Sequence, residues 1–156
     1  MEVSTFSVIE AEFIERVHKI VWCNVATLDR RNRPRSRVLH TIWDGSTGWI
    51  ATNPNTLKAR HLEQHPYVSL AYIADVVKPV YVDCRAEWDN TPETRQHVWD
   101  LFLNAPPPLG YDPAPMFHAI EHPDYGVLRL TPWRIELSNA SGVGERRIVW
   151  HNEARG

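Results

Sequence analysis

Cysteine is nearly missing from this chain: Cys23 and Cys84 are the only two in 156 residues. They share no metal-ligand or redox spacing, and a pair in so long a chain is no disulfide scaffold, so a reducing cytoplasm is the expected compartment. Long apolar runs are lacking too. No stretch approaches the roughly 20 residues a membrane-spanning helix needs, and the N-terminus shows no basic-then-apolar leader pattern, so no membrane partner is expected. Nor is positive charge in excess. Seventeen Lys and Arg against nineteen Asp and Glu leave a formal net charge of −2, which argues against a nucleic-acid partner bound by bulk phosphate neutralisation. Two catalytic signatures are also absent. There is no Gly-x-Ser-x-Gly elbow. Gly142-Val143-Gly144-Glu145-Arg146-Arg147 neither completes a G-x-G-x-x-G nor opens a βαβ unit, which excludes a Rossmann dinucleotide site. With no internal repeat or low-complexity tail, a single domain over residues 1–156 is expected.

What is present is aromatic and β-rich. Seven tryptophans in a small domain imply large aromatic packing surfaces, as at a dimer interface, or a stacking pocket for a flat ligand. Ser7-Val8-Ile9-Glu10 has the form of a capping box, and Ile9, Phe13, Val17, Ile20 and Val21 recur at helical spacing, which predicts an amphipathic helix over about 8–20. Strands are predicted at 22–28, 35–43, 48–52, 68–74, 80–88, 125–131, 133–137 and 146–150. Asp44-Gly45-Ser46-Thr47 is hairpin chemistry. Thr91-Pro92-Glu93 opens a helix whose apolar stripe is Val98, Leu101 and Phe102, and the proline-crowded segment 104–115 reads as a loop, a plausible lid or dimer contact. Residues 139–145 read as a Gly/Ser loop. About seven short strands with two or three helices predict a mainly β fold, an antiparallel barrel with flanking helices.

The chain is organised around residues 38–70. After the strand ending at Thr52, Asn53-Pro54-Asn55-Thr56 cannot continue a strand, so a helix is expected to start at Asn55 or Thr56 and to end near His65-Pro66. Free N–H groups at that start, the hydroxyls of Thr52 and Thr56 and the ammonium of Lys58 suit a phosphate. A bland alternative stands beside this one: Thr56 caps a surface helix and Lys58 is solvated. Arg30, Arg31, Arg33, Arg35 and Arg37 crowd the preceding hairpin. They form either a solvated tip or, through Arg35 and Arg37 on one strand face, an anion contact.

Histidine pairs at i, i+4 occur at His61 and His65 and at His118 and His122. Neither stretch is H-E-x-x-H, and His65 and His122 each precede a proline, so both pairs read as structural or surface residues and no metal site is expected. Cys23, within a predicted strand, reads as a small buried hydrophobe.

Thr52-Asn53, Thr56-Leu57-Lys58-Ala59-Arg60 and His65-Pro66-Tyr67-Val68-Ser69-Leu70, in this order and spacing, resemble the central block of the pyridoxamine 5'-phosphate oxidase-like FMN-binding split-barrel family. The resemblance runs from about Phe13 to Glu136 and takes in the closing Thr131-Pro132 and Arg134-Ile135-Glu136. It implies a split barrel and a homodimer with the cofactor groove at the subunit interface. It also implies a flavin- or deazaflavin-dependent oxidoreductase holding FMN, or alternatively coenzyme F-420, beside a small-molecule substrate. The cofactor-binding positions it implies are Ser36, Arg37, Val38, Leu39, Thr52, Asn53, Thr56, Leu57 and Lys58. A non-catalytic flavin- or haem-binding module is the other reading. Three features depart from the vitamin B6 oxidases: Ser138 stands where they carry a tryptophan, no Arg-x-His follows, and Lys78 or Pro79 replaces a glutamine. A substrate other than pyridoxamine phosphate is therefore expected.

Overall fold

The structure, a computed structural model, describes residues 1–140 and 146–152. The Gly/Ser loop read over 139–145 and the partial G-x-G run over 142–147 thus lie mostly outside the described residues.

Among the described residues nine strands form one sheet that does not close: β1 (Glu2–Val3), β2 (Trp22–Leu28), β3 (Pro34–His40), β4 (Ile42–Asp44), β5 (Thr47–Thr52), β6 (Tyr67–Tyr72), β7 (Val80–Trp88), β8 (Gly126–Asn139) and β9 (Arg146–His151). The order β1-β9-β8-β7-β6-β2-β3 leaves β3 at an edge, while β5 branches from β8 and carries β4. All pairings are antiparallel except β1 with β9. Four helices among the described residues flank the sheet: α1 (Glu10–Lys19), α2 (Leu57–Gln64), α3 (Pro92–Asn104) and α4 (Ala114–Phe117).

Alternation explains the sheet. In β2 the buried positions are Cys23, Val25 and Thr27, each separated by a more exposed residue, so one face meets the core. That core lies under α1, where Phe13 and Val17 are fully buried against Leu70, Tyr72, Val82 and Ile135. A second core lies under α3 and is built from Trp49, Val98, Phe102, Phe117 and Tyr125.

The structure differs from the sequence reading at β1, which pattern did not predict, and in four further places. The Ser7 capping box is not made. Ile9 occupies the N-cap of α1 without a side-chain cap, preceded by a 3₁₀ turn, Phe6–Val8. Phe6 packs edge-on against Phe13 and Trp150, at 5.9 and 5.4 Å between centroids, and that packing sets the chain's entry into α1. The single strand expected over 35–43 breaks at Thr41, whose buried hydroxyl meets the Tyr72 hydroxyl at 2.7 Å. On one side of the break β3 pairs with β2, and on the other β4 pairs with β5. The two strands expected around Pro132 are one, β8: Pro132 faces Cys84 where the β7 register shifts, an irregularity that accommodates a residue without an N–H. Finally, the segment read as loop carries the short α4, entered through Pro113.

Candidate functional site

The handover from β5 to α2 is built by short polar side chains. The Asn53 Oδ1 accepts the Asn55 N–H at 2.8 Å, the Thr56 hydroxyl donates to the Asn53 carbonyl at 3.2 Å, and the Lys58 ammonium donates to Thr56 Oγ1 at 3.1 Å. Thr56 therefore sits at the N-cap but spends its hydroxyl elsewhere, so among the described residues no side chain caps the first N–H groups of α2. Lys58 is half-buried, and its pKa is lowered by that burial and by the nearby Arg37 cation. No carboxylate lies within ion-pairing distance of Lys58 or Arg37 among the described residues.

Arg37 reaches the same place from β3. Its Nη1 donates to Thr27 Oγ1 at 2.9 Å, and Thr27 Oγ1 lies 3.0 Å from Nδ1 of His61 on α2. Burial first, then the Arg37 charge, pushes His61 below its usual value. Next to it, Asp29, Arg30, Arg31, Arg33, Arg35, Leu57, Arg60 and His61 line a cavity of about 450 Å³. Asp29 is its one carboxylate and is already committed: it pairs with Arg33 at 2.8 Å and accepts two backbone N–H groups. These contacts, the Arg33 side chain foremost, hold its carboxyl well below the usual range. The positive charge of this end is not neutralised by its own acids.

A larger groove of about 650 Å³ lies along edge strand β3. Val38, Leu39 and His40 form one wall, Thr52 and Asn53 one end, and Trp22, Tyr111 and Phe117 supply aromatic surface. His40 packs among Trp22, Tyr111 and Phe102 at 5.2, 5.1 and 5.4 Å between centroids. Burial lowers its pKa, the neighbouring Leu109 backbone opposing this, and among the described residues its buried Nε2 has no hydrogen-bond partner.

The nine positions taken from sequence thus fall into four places. Val38, Leu39, Thr52 and Asn53 line the groove; Leu57 lines the arginine cavity; Arg37, Thr56 and Lys58 stand at the start of α2 and line neither. Ser36 lies on exposed β3 opposite Ala26, on the face of Val38 and His40. Missed from sequence were His40, Trp22 and Tyr111. Period-2 alternation from Val38 gives His40, whereas Tyr111 reaches the groove only because the segment after α3 folds back, with the Tyr111 N–H donating to the Phe102 carbonyl at 2.9 Å. Ser138, in place of the oxidases' tryptophan, is buried and donates to Glu136 Oε1 at 2.8 Å.

Two histidines here and one on α1 give a pH dependence. His18, which accepts the Trp43 N–H at 3.0 Å, His40 and His61 all lie below the ordinary 6.5, each chiefly through burial. As pH falls, the unfolded chain takes up protons that the folded chain resists, so their stabilisation is full above 6.5 and lost as pH drops towards the folded-state values. The thermal midpoint is expected to fall between about pH 7.5 and 5.5, before carboxylates titrate; a flat profile in calorimetry contradicts this.

Fold and site together describe an open split barrel with a cationic helix start beside a groove walled by aromatic rings. The pyridoxamine 5'-phosphate oxidase family model matches residues 9–139, so the chain belongs to that family. General stress protein 26 of Bacillus subtilis is 26% identical over 124 residues, 77% of this chain and 79% of the relative. A Clostridium acetobutylicum protein related to general stress protein 26 superposes with a TM-score of 0.73 at 16% identity, covering 94% of this chain and 96% of its own. A pyridoxamine 5'-phosphate oxidase-related, FMN-binding protein of Nostoc punctiforme superposes with a TM-score of 0.69 at 15% identity, over 99% of this chain and 94% of its own. Among the described residues no helix is long and apolar enough to cross a membrane.

Proposed function

We propose that this chain is a flavin-dependent oxidoreductase that holds FMN, with the phosphate at the start of α2 and the ring system in the groove along β3. The observation that carries this reading is the half-buried Lys58 ammonium beside Thr56, at a helix start that no side chain caps. Asn53 joins the two parts of the site, since it lines the groove and its carbonyl takes the Thr56 hydroxyl. The groove also fits a flat heterocycle. His40, on the groove wall, keeps a buried Nε2 with no hydrogen-bond partner among the described residues, an atom that a ligand N–H or hydroxyl would satisfy once the ring turns toward the groove. FMN when bound supplies the electron transfer; the protein grips the phosphate, covers the ring and leaves room for a small conjugated substrate.

A deazaflavin, coenzyme F-420, is the second reading, favoured by the arginine-lined cavity on α2, which suits an anionic tail beyond the phosphate. In both readings the functional unit is a homodimer. Trp22, Val38 and Met116 beside the groove are 54%, 62% and 63% exposed, and β3 ends the sheet order, so a second copy is the natural cover for this face.

Titration tests the reading. FMN should bind at least about 30-fold more tightly than riboflavin, which lacks the phosphate and every contact to it. The complex should run as a dimer in light scattering and bleach on anaerobic reduction. Equal affinity for riboflavin would remove the phosphate from the account, and binding of haem with no flavin uptake would favour a non-catalytic module.

A further inference from the structure

A second constellation stands at the rim of the same groove and does not depend on the flavin reading. His118, His122 and Asp124 place their donor atoms all within 4.8 Å of one another. Sequence spacing gave the histidine pair but not the acid, which arrives because the chain turns after α4 instead of continuing as a helix.

Each ligand is aimed by its backbone or by a neighbour. His118 terminates α4 with φ 67°, a left-handed conformation uncommon for residues other than glycine, and its N–H is held by the Ala114 carbonyl at 2.8 Å. Its ring comes to 4.5 Å from that of His122, centroid to centroid. The His122 carbonyl accepts Nη2 of Arg95 at 2.9 Å, and its Nδ1, 3.8 Å from Asp124 Oδ2, accepts the Asp124 N–H at 3.2 Å, a contact that an ion bound at Nδ1 would replace. The other carboxylate oxygen, Oδ1, accepts Nδ2 of Asn53 at 3.0 Å, an outer contact of the kind that orients metal-bound carboxylates.

We infer that His118, His122 and Asp124 form a site for a divalent transition metal, Zn²⁺ by the chemistry of its donors. Two imidazoles and one carboxylate suit zinc, nickel or copper, whereas calcium and magnesium take oxygen donors. Tetrahedral bonds of about 2.0–2.2 Å place donor atoms about 3.4 Å apart, so closure needs side-chain shifts of up to about 1.4 Å at exposed and partly exposed residues. Three protein ligands leave a coordination position for water or a ligand. Asp124 itself lines the groove, so the ion sits at the groove's rim and ties the turn after α4 to Asn53.

The test uses tag-free full-length protein, stripped with chelator and titrated with ZnCl₂ by calorimetry. One saturable equivalent is expected, and His118→Ala, His122→Ala and Asp124→Asn should each weaken it by about tenfold or more. His65→Ala and His151→Ala should leave it unchanged. Circular dichroism checks the fold of each variant. Should one fail to fold, Cu²⁺ bound to the wild type and read by electron paramagnetic resonance must show two imidazole nitrogens. Absence of saturable uptake, or equal uptake by the three ligand variants and the wild type, overturns the site.

Discussion

Replacing Lys58 by alanine should weaken FMN binding by roughly 30- to 150-fold, the loss of a hydrogen bond between charged partners, about 2–3 kcal/mol. The size of the effect follows from placement. The ammonium is half-buried, its pKa is pressed down by burial and by Arg37, and it has no carboxylate partner among the described residues. A cation held in this state gains more from an anion than an exposed lysine does, because less water screens the pair. Two controls separate charge from shape. Lys58→Arg should recover part of the affinity, and riboflavin should bind Lys58→Ala and the wild type alike, since the lost contact is to the phosphate. Fluorescence titration reads both. An Ala variant with wild-type FMN affinity would show that the phosphate sits elsewhere.

The second large effect is structural and bears on the groove wall. Gly110→Ala should lower the thermal midpoint by about 10 °C, a loss of roughly 3 kcal/mol at 2–4 °C per kcal/mol for a chain of this size. A Cβ at this position would stand 1.9 Å from the Ala105 carbonyl oxygen, 2.6 Å from its carbon and 2.7 Å from the Phe102 carbonyl oxygen. All three are backbone atoms, so no rotamer change relieves the overlap, and the Gly110 N–H bond to Pro106 at 3.0 Å breaks with it. Tyr111 and Pro108 line the groove from this turn, so FMN affinity should fall together with stability. Calorimetry showing an unchanged midpoint would mean that the chain does not make this turn.

Local pattern carried much of the fold. Strands β2 and β7 lie where alternation put them, at 22–28 and 80–88, because each buries one face and exposes the other along its whole length. α3 starts at Pro92 with Thr91 Oγ1 accepting the Thr94 N–H at 3.3 Å, as the Thr-Pro-Glu signal implied. What pattern missed depends on distant partners. The break at Thr41 rests on Tyr72, thirty-one residues away, and the continuity of β8 through Pro132 rests on a register shift opposite Cys84. The same division holds at the candidate site. Thr52, Asn53, Thr56 and Lys58 are close in sequence, and a strand end followed by a helix start makes their grouping readable. The His40, Trp22 and Tyr111 wall and the contact of Asp124 with Asn53 join segments many residues apart, and no periodicity encodes such contacts.

The most direct measurement is a crystal structure of the protein grown with FMN. The phosphate should lie within hydrogen-bonding distance of Lys58 Nζ and the first N–H groups of α2, with the ring against Val38–His40. A phosphate bound away from α2, or Lys58 extended into solvent with the groove filled by side chains, would contradict the account.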